Sequence, residues 1–305
     1  MAGRMAASMA GGMAGRRACT ASAHVAAVLG CLAAAACERI VEVEIPEPEP
    51  MLVVEGRIEL VKEAPGGTQT IRLGTTDAFF SNRATPPATG AIVTVTDGAG
   101  GVHPFAEAEP GHYVTHDLHA RIGETYTLSI EYGGDRYAAS ASLLQVAPID
   151  SLYFMFEEET LINDQEGYRA AIDYVDPPGG PHFYLWEQFV DGVNEPPPSS
   201  GNQFNLISRD ELYDGEPVIG FQPNDEIVIE AGAQVAIRQV ALSRRGYDYY
   251  YAIFEQNGLG TGLPFSVPPA TIRGNVANVT RPERFPFGFF EAAEVSVAEG
   301  IGPER

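Results

Sequence analysis

A chain of 305 residues is long enough for two medium domains at the usual scale of roughly 150 residues each, and 45% apolar with 10% aromatic content can fill their cores. Nineteen basic residues against 41 acidic ones, a formal balance of -22, exclude a nucleic-acid binder, because displacing counterions from phosphates needs a basic footprint. Lys62 is the only lysine, and the acidity is spread along the chain rather than gathered into a tail, as on a hydrated acidic surface.

Residues 1–36 contain Arg4, Arg16 and Arg17, no acid, and an apolar run from His24 to Ala36. The run is short for a membrane span of ~20 residues and has the layout of a signal peptide. It stops at Cys37 and turns acidic at Glu38. Small alanines before a cysteine resemble the lipobox of bacterial lipoproteins, in which the thiol receives a diacylglycerol and a peptidase cuts just before it. Cys37 is the expected lipid-attachment residue and mature amino terminus. Ala34 stands where a large aliphatic is usual, and "VLGC" ending at Cys31 suits that preference better, but the charged sequence starting at Glu38 favours Cys37. Cleavage there removes Cys19 and Cys31, so no disulfide within one chain is expected. Over residues 37–50, Pro46, Pro48 and Pro50 alternate with glutamate and predict an extended acidic tether.

From residue 51 the pattern becomes two-fold. In "MLVVEGRIELV", Leu52, Val54, Ile58 and Leu60 share one face while Glu55, Arg57 and Glu59 take the other, the signature of a half-buried strand. "TQTIRLGT", "AIVTVTD", "VHPFAEA", "HYVTHD", "ETYTLSIEY" and "RYAASASL" continue it, the last two joined by Gly133-Gly134 as a hairpin. Seven short strands at this spacing predict an immunoglobulin-like β-sandwich over residues 51–147.

Pro148 punctuates the chain, and a second β-rich domain is expected over residues 148–305. "SLYFMFEEE" and "YRAAIDYVD" open it. "FYLWEQFV" is apolar on both faces, as in a strand covered on each side, and "VNEPPPSSGNQ" reads as a loop. The apolar phase of "QVAIRQVALS" slips between Ile237 and Val240, which predicts a bulge. One short helix, "RGYDYYYAIFEQNG", places Tyr247, Tyr250, Tyr251 and Phe254 at helical spacing with Asn257-Gly258 as its stop. That stripe is expected to face the core rather than to stack on a sugar. "ATIRGNVANV" and "GFFEAAEVSV" are strand-like. The fold class is therefore mainly all-β.

Chemistry is harder to find. His112, His116 and His119, with Asp117 nearby, lack a visible third converging ligand, so exposed histidines are expected. "GLGTGLPF" at Gly258 to Phe265 follows the helix, whereas phosphate cradling needs a loop that opens one. No Gly-x-Ser-x-Gly elbow is present, and Glu157, Glu158 and Glu159 read as a solvated strand end. The acid-rich "DYVDPPGG" could hold calcium, although without EF-hand spacing. No catalytic residue, cofactor site or metal ligand is assigned.

The order of motifs resembles an uncharacterised family of Bacteroidota envelope lipoproteins, domain of unknown function family 4249. The resemblance runs through "CERIVEVEIP", "LVVEGRI", "GAIVTVTDG", "GETYTLSIEYGGDRYAASAS" and "PIDSLYF", then "YLWEQFVDG", "ALSRRGYDYYYAIFEQ" and "IRGNVANVTRPERFPFGFFEAAEVSV". It implies a non-enzymatic protein anchored to outer-membrane lipid through an acylated cysteine, on the periplasmic or the cell-surface face. It further implies a TonB-dependent transporter as partner in ligand capture or uptake. The alternatives are a structural or adhesive surface module and an envelope hydrolase, which needs a site the sequence does not display.

Overall fold

The alternation in LVVEGRIELV becomes strand β1 (Leu52–Val61) in the computed structural model, with Leu52, Val54 and Ile58 buried and Glu55 in solvent. The structure describes residues 49–77, 85–158, 165–196, 202–259 and 271–304. Cys37, the segment before it and most of the expected tether lie outside these residues, as does the glycine-rich stretch from residue 260 onward. Strands β2 (Gln69–Thr75), β3 (Ile92–Thr96), β4 (Val102–Glu109), β5 (His112–Thr115), β6 (Thr125–Tyr132) and β7 (Asp135–Ser142) then occupy the six further stretches expected from alternation.

One sheet runs β1-β2-β5 and accepts the second half of β4, where Ala106 pairs with Val114. The first half of β4 pairs with β3 instead, Phe105 opposite Val93, and the second sheet continues through β6 and β7. β4 thus carries the chain from one sheet to the other, and Val54, Ile71 and Tyr113 of the first meet Val95, Leu128 and Ile130 of the second in one core. The β6–β7 hairpin closes with Tyr132 opposite Asp135. Gly133 and Gly134 both have positive φ, 59° and 81°, as a two-residue hairpin turn matching the strand twist demands.

The second half adds β8 (Ile149–Glu157), β9 (Gly167–Val175), β10 (Phe183–Val190), β11 (Val193–Asn194), β12 (Ile207–Arg209), β13 (Pro217–Phe221), β14 (Gln234–Ala241), helix α1 (Arg244–Leu259), β15 (Ala277–Asn278) and β16 (Phe287–Ile301). β13, β9 and β8 form a separate three-stranded sheet, while β11-β10-β14-β16 extend the first sheet past β1. β10 is covered on both sides as expected. Tyr184 and Trp186 pack on Tyr174 and Phe221 of the small sheet, and Phe183 meets Tyr247 of α1 with ring centroids 5.3 Å apart.

The bulge expected in β14 is absent: its pairing with both β10 and β16 proceeds without a register shift. The apolar phase slips for another reason. Val235 and Ile237 fill one face and Val240 the other, because this strand too is buried on both sides. Helix α1 runs to Leu259, just past the expected Asn257-Gly258 stop, and buries Phe254 while Tyr247 and Tyr250 pack on the second core. Tyr251 is the exception, exposed at the rim beside Phe204. Among the described residues of "ATIRGNVANV", only Ala277 and Asn278 form a strand, paired with β7. Among the described residues no helix is long and apolar enough to cross a membrane.

Strand β16 joins the halves. It pairs in parallel with β1 from Val53↔Phe287 to Val61↔Val295. Phe290 and Ala292 enter the first core, Ala293 and Val295 the second. Leu143 lies in one core, while Val146, Ala147 and Ile149 pack in the other, and the described residues form one compact unit. The close approach of β1 and β16 requires Gly288, whose φ is 93° and where a Cβ would lie 1.9 Å from the Val54 carbonyl oxygen.

Candidate metal centre

Asp176 follows directly on β9, and Pro177-Pro178, which lack backbone donors, end that strand. Gly179, at φ 103°, helps turn the chain back to His182, the residue before β10. β10 pairs with β12, Phe183 opposite Arg209, so the antiparallel register sets His182 beside Asp210. Strand register, rather than sequence proximity, makes the contact.

The Asp210 carboxylate accepts from the His182 backbone at 2.8 Å and lies 2.9 Å from His182 Nδ1, both through Oδ2. Asp176 accepts from the Tyr184 hydroxyl through Oδ1 and from the Gly215 backbone at 3.1 Å through Oδ2. The same Oδ2 is 3.8 Å from His182 Nδ1. A turn after β12 supplies the fourth residue: Tyr213 N donates to Asp210 O at 2.8 Å, and Gly215, at φ 77°, aims its N–H at Asp176. Asp214 in this turn accepts from Gly179 N at 2.8 Å. One ligand-type atom from each of Asp176, His182, Asp210 and Asp214 lies within 4.8 Å of the others.

Burial is uneven across the four. Asp176 and Asp210 are 0% and 1% exposed, whereas Asp214 is open to solvent. Burial raises the Tyr184 phenol well above its ordinary value, and hydrogen bonding to Asp176 adds to the shift, so Tyr184 remains a donor. Burial likewise raises Tyr213, against the opposing bonds to Ser208 and Tyr174. Chemically, three carboxylates and an imidazole form a donor set for a divalent cation. A buried carboxylate on an imidazole also begins a proton-moving triad, but among the described residues no Ser, Thr or Cys side chain hydrogen-bonds the His182 ring.

The histidines singled out in the sequence do not converge. β5 ends at Thr115, so His116 and His119 leave the strand that holds His112. His116 bonds Thr68 Oγ1 at 3.0 Å, His112 faces the Pro110 carbonyl, and the His119 ring lies against Gly67. Of the acid-rich "DYVDPPGG", Asp176 enters the cluster, while Asp173 bonds Ser151, Tyr153 and Gly220. His182, Asp210 and Asp214 went unmarked in the sequence because β12 is three residues long and carries no periodicity to announce it. β8 ends at Glu157, and Glu159 lies outside the described residues.

Residues 38–299 match the family model described as a domain of unknown function, DUF4249. No curated protein matches the chain.

Proposed function

The chain belongs to the DUF4249 family, and from that premise we propose that it is a lipid-anchored, non-enzymatic protein of a Bacteroidota outer membrane. In this reading it assists a TonB-dependent transporter in capturing or admitting a ligand. The observation that carries the proposal is the junction at Cys37. An apolar run ends there, acidic sequence starts at the next residue, and the family match begins at residue 38. Acyl chains contribute ~0.8 kcal/mol per buried methylene, so a multiply acylated terminus holds where a single chain would not. Residues 37–50 then act as a solvated spacer between the bilayer and the β-rich body.

Co-purification from mildly solubilised outer membranes tests the role. A transporter recovered in stoichiometric amount with the full chain is the expected result. Recovery of the chain without one would replace uptake with a structural or adhesive function.

A further inference from the structure

Strand β10 has a gap along one edge. β12 pairs with it as far as Leu185 and β11 from Phe189 onward, and among the described residues no strand pairs with Trp186, Glu187 or Gln188 on that side, although β14 does on the other. A cavity of about 170 Å³ lies at the gap, walled by Leu206 from before β12 and by Tyr250 and Phe254 of α1. Glu195 in its wall is fixed at both backbone groups: its N–H donates to the Gln188 carbonyl at 2.8 Å, and its own carbonyl accepts from Asn224 Nδ2 at 2.8 Å. The opening is therefore built into the fold.

Gln188 supplies a second, independent observation. It lines the cavity and is 0% exposed, yet neither its amide oxygen nor its amide nitrogen has a hydrogen-bond partner. A buried carboxamide without partners costs stability, so native folds ordinarily supply them. Charge in the wall narrows what can do so. No Lys or Arg is among the described lining residues, so a buried anion would lack a counter-charge. Glu187 is already engaged by Arg57 at 2.9 Å and Arg238 at 3.2 Å, which removes its pull on a cation. Burial raises the Tyr250 phenol, so that group stays a neutral hydroxyl.

From this geometry we infer that the cavity between β11 and β12 binds a small neutral ligand whose carboxamide donates to, and accepts from, the Gln188 side chain. An amide answers an amide, since each offers one carbonyl oxygen and N–H donors. The body of the ligand is apolar, to suit Leu206 and Phe254, and about the size of a six-membered ring, because a cavity of ~150 Å³ already admits benzene. Exposed Asn194 in the wall gives a route from solvent. The inference stands without the transporter role, since it concerns this cavity alone.

Trp186 lines the cavity and is the single tryptophan of the chain, so its fluorescence reports occupancy. Titration of the full chain with benzamide, benzoate and benzamidine, which share a shape but are neutral, anionic and cationic, tests the assignment. Benzamide should change the emission with a Kd of about 1 mM or below and bind at least about tenfold tighter than the other two. Gln188→Leu deletes two buried groups that have no partner, so its unfolding midpoint should hold or rise while benzamide affinity falls about tenfold. No response to benzamide, benzoate or benzamidine binding as tightly, or benzamide affinity that survives Gln188→Leu would overturn the inference.

Discussion

Tyr184 reaches Asp176 from the start of a strand whose neighbouring Trp186 is fully buried, so polar and apolar packing are interleaved residue by residue. Tyr184→Phe should cost about 1–3 kcal/mol in metal-free protein, measured by urea unfolding, because a buried carboxylate loses a donor. A second residue-scale test uses acid. The Arg281 hydrogen bonds hold Asp135 below the usual carboxylate range, with Asn278 assisting. The stabilisation this gives is complete above an unfolded value of about 3.9 and is lost as pH falls through the depressed folded value. Arg281→Ala should therefore move the acid-unfolding midpoint to higher pH; an unchanged midpoint would show the pair is idle. At this scale the sequence was only partly readable. Asp176 stood out in an acid-rich turn, but nothing near Asp210 in the chain signalled that strand register would bring His182 to it.

Elements proved easier to read when one face was wet. β2, β6 and β7 alternate cleanly because each has a solvent side. β14 and β16 do not, since covering both faces removes the alternation: nine consecutive residues of β16, from Gly288 to Ser296, are buried. Gly288→Ala should cost about 4 kcal/mol or more by urea unfolding, since the new Cβ would meet the Val54 carbonyl and the backbone sits at positive φ. Helix α1 is tied to β16 by Glu291, whose Oε1 accepts from Ser243 N and Oγ at 2.8 and 2.9 Å. Burial raises the Glu291 carboxyl despite those bonds. The native state then holds its proton more tightly than the unfolded chain, so stability falls as pH rises from about 4.3 through the raised folded value. Glu291→Gln should lose less stability than the parent between pH 4.5 and 8; parallel curves would contradict the burial argument.

Across the molecule, the two cores look separable in sequence and are joined in space. The first core takes in Leu143 and the second starts at Val146, but no local pattern reveals that residues 287–301 return to lie parallel to β1. That pairing links the ends of the described chain and is invisible to periodicity. With Phe290 and Ala292 completing the first core and Ala293 and Val295 the second, both should unfold in one transition with equal calorimetric and van't Hoff enthalpies. Two resolved transitions would mean that β16 fails to couple them. The proposed anchor belongs to this scale as well, because acyl chains on Cys37 would determine where the whole body acts. Intact-mass spectrometry of the chain extracted from outer membranes tests it most directly: the account predicts a polypeptide beginning at residue 37 and carrying a diacylglycerol on that cysteine, and an unmodified amino terminus on membrane-free material would contradict it.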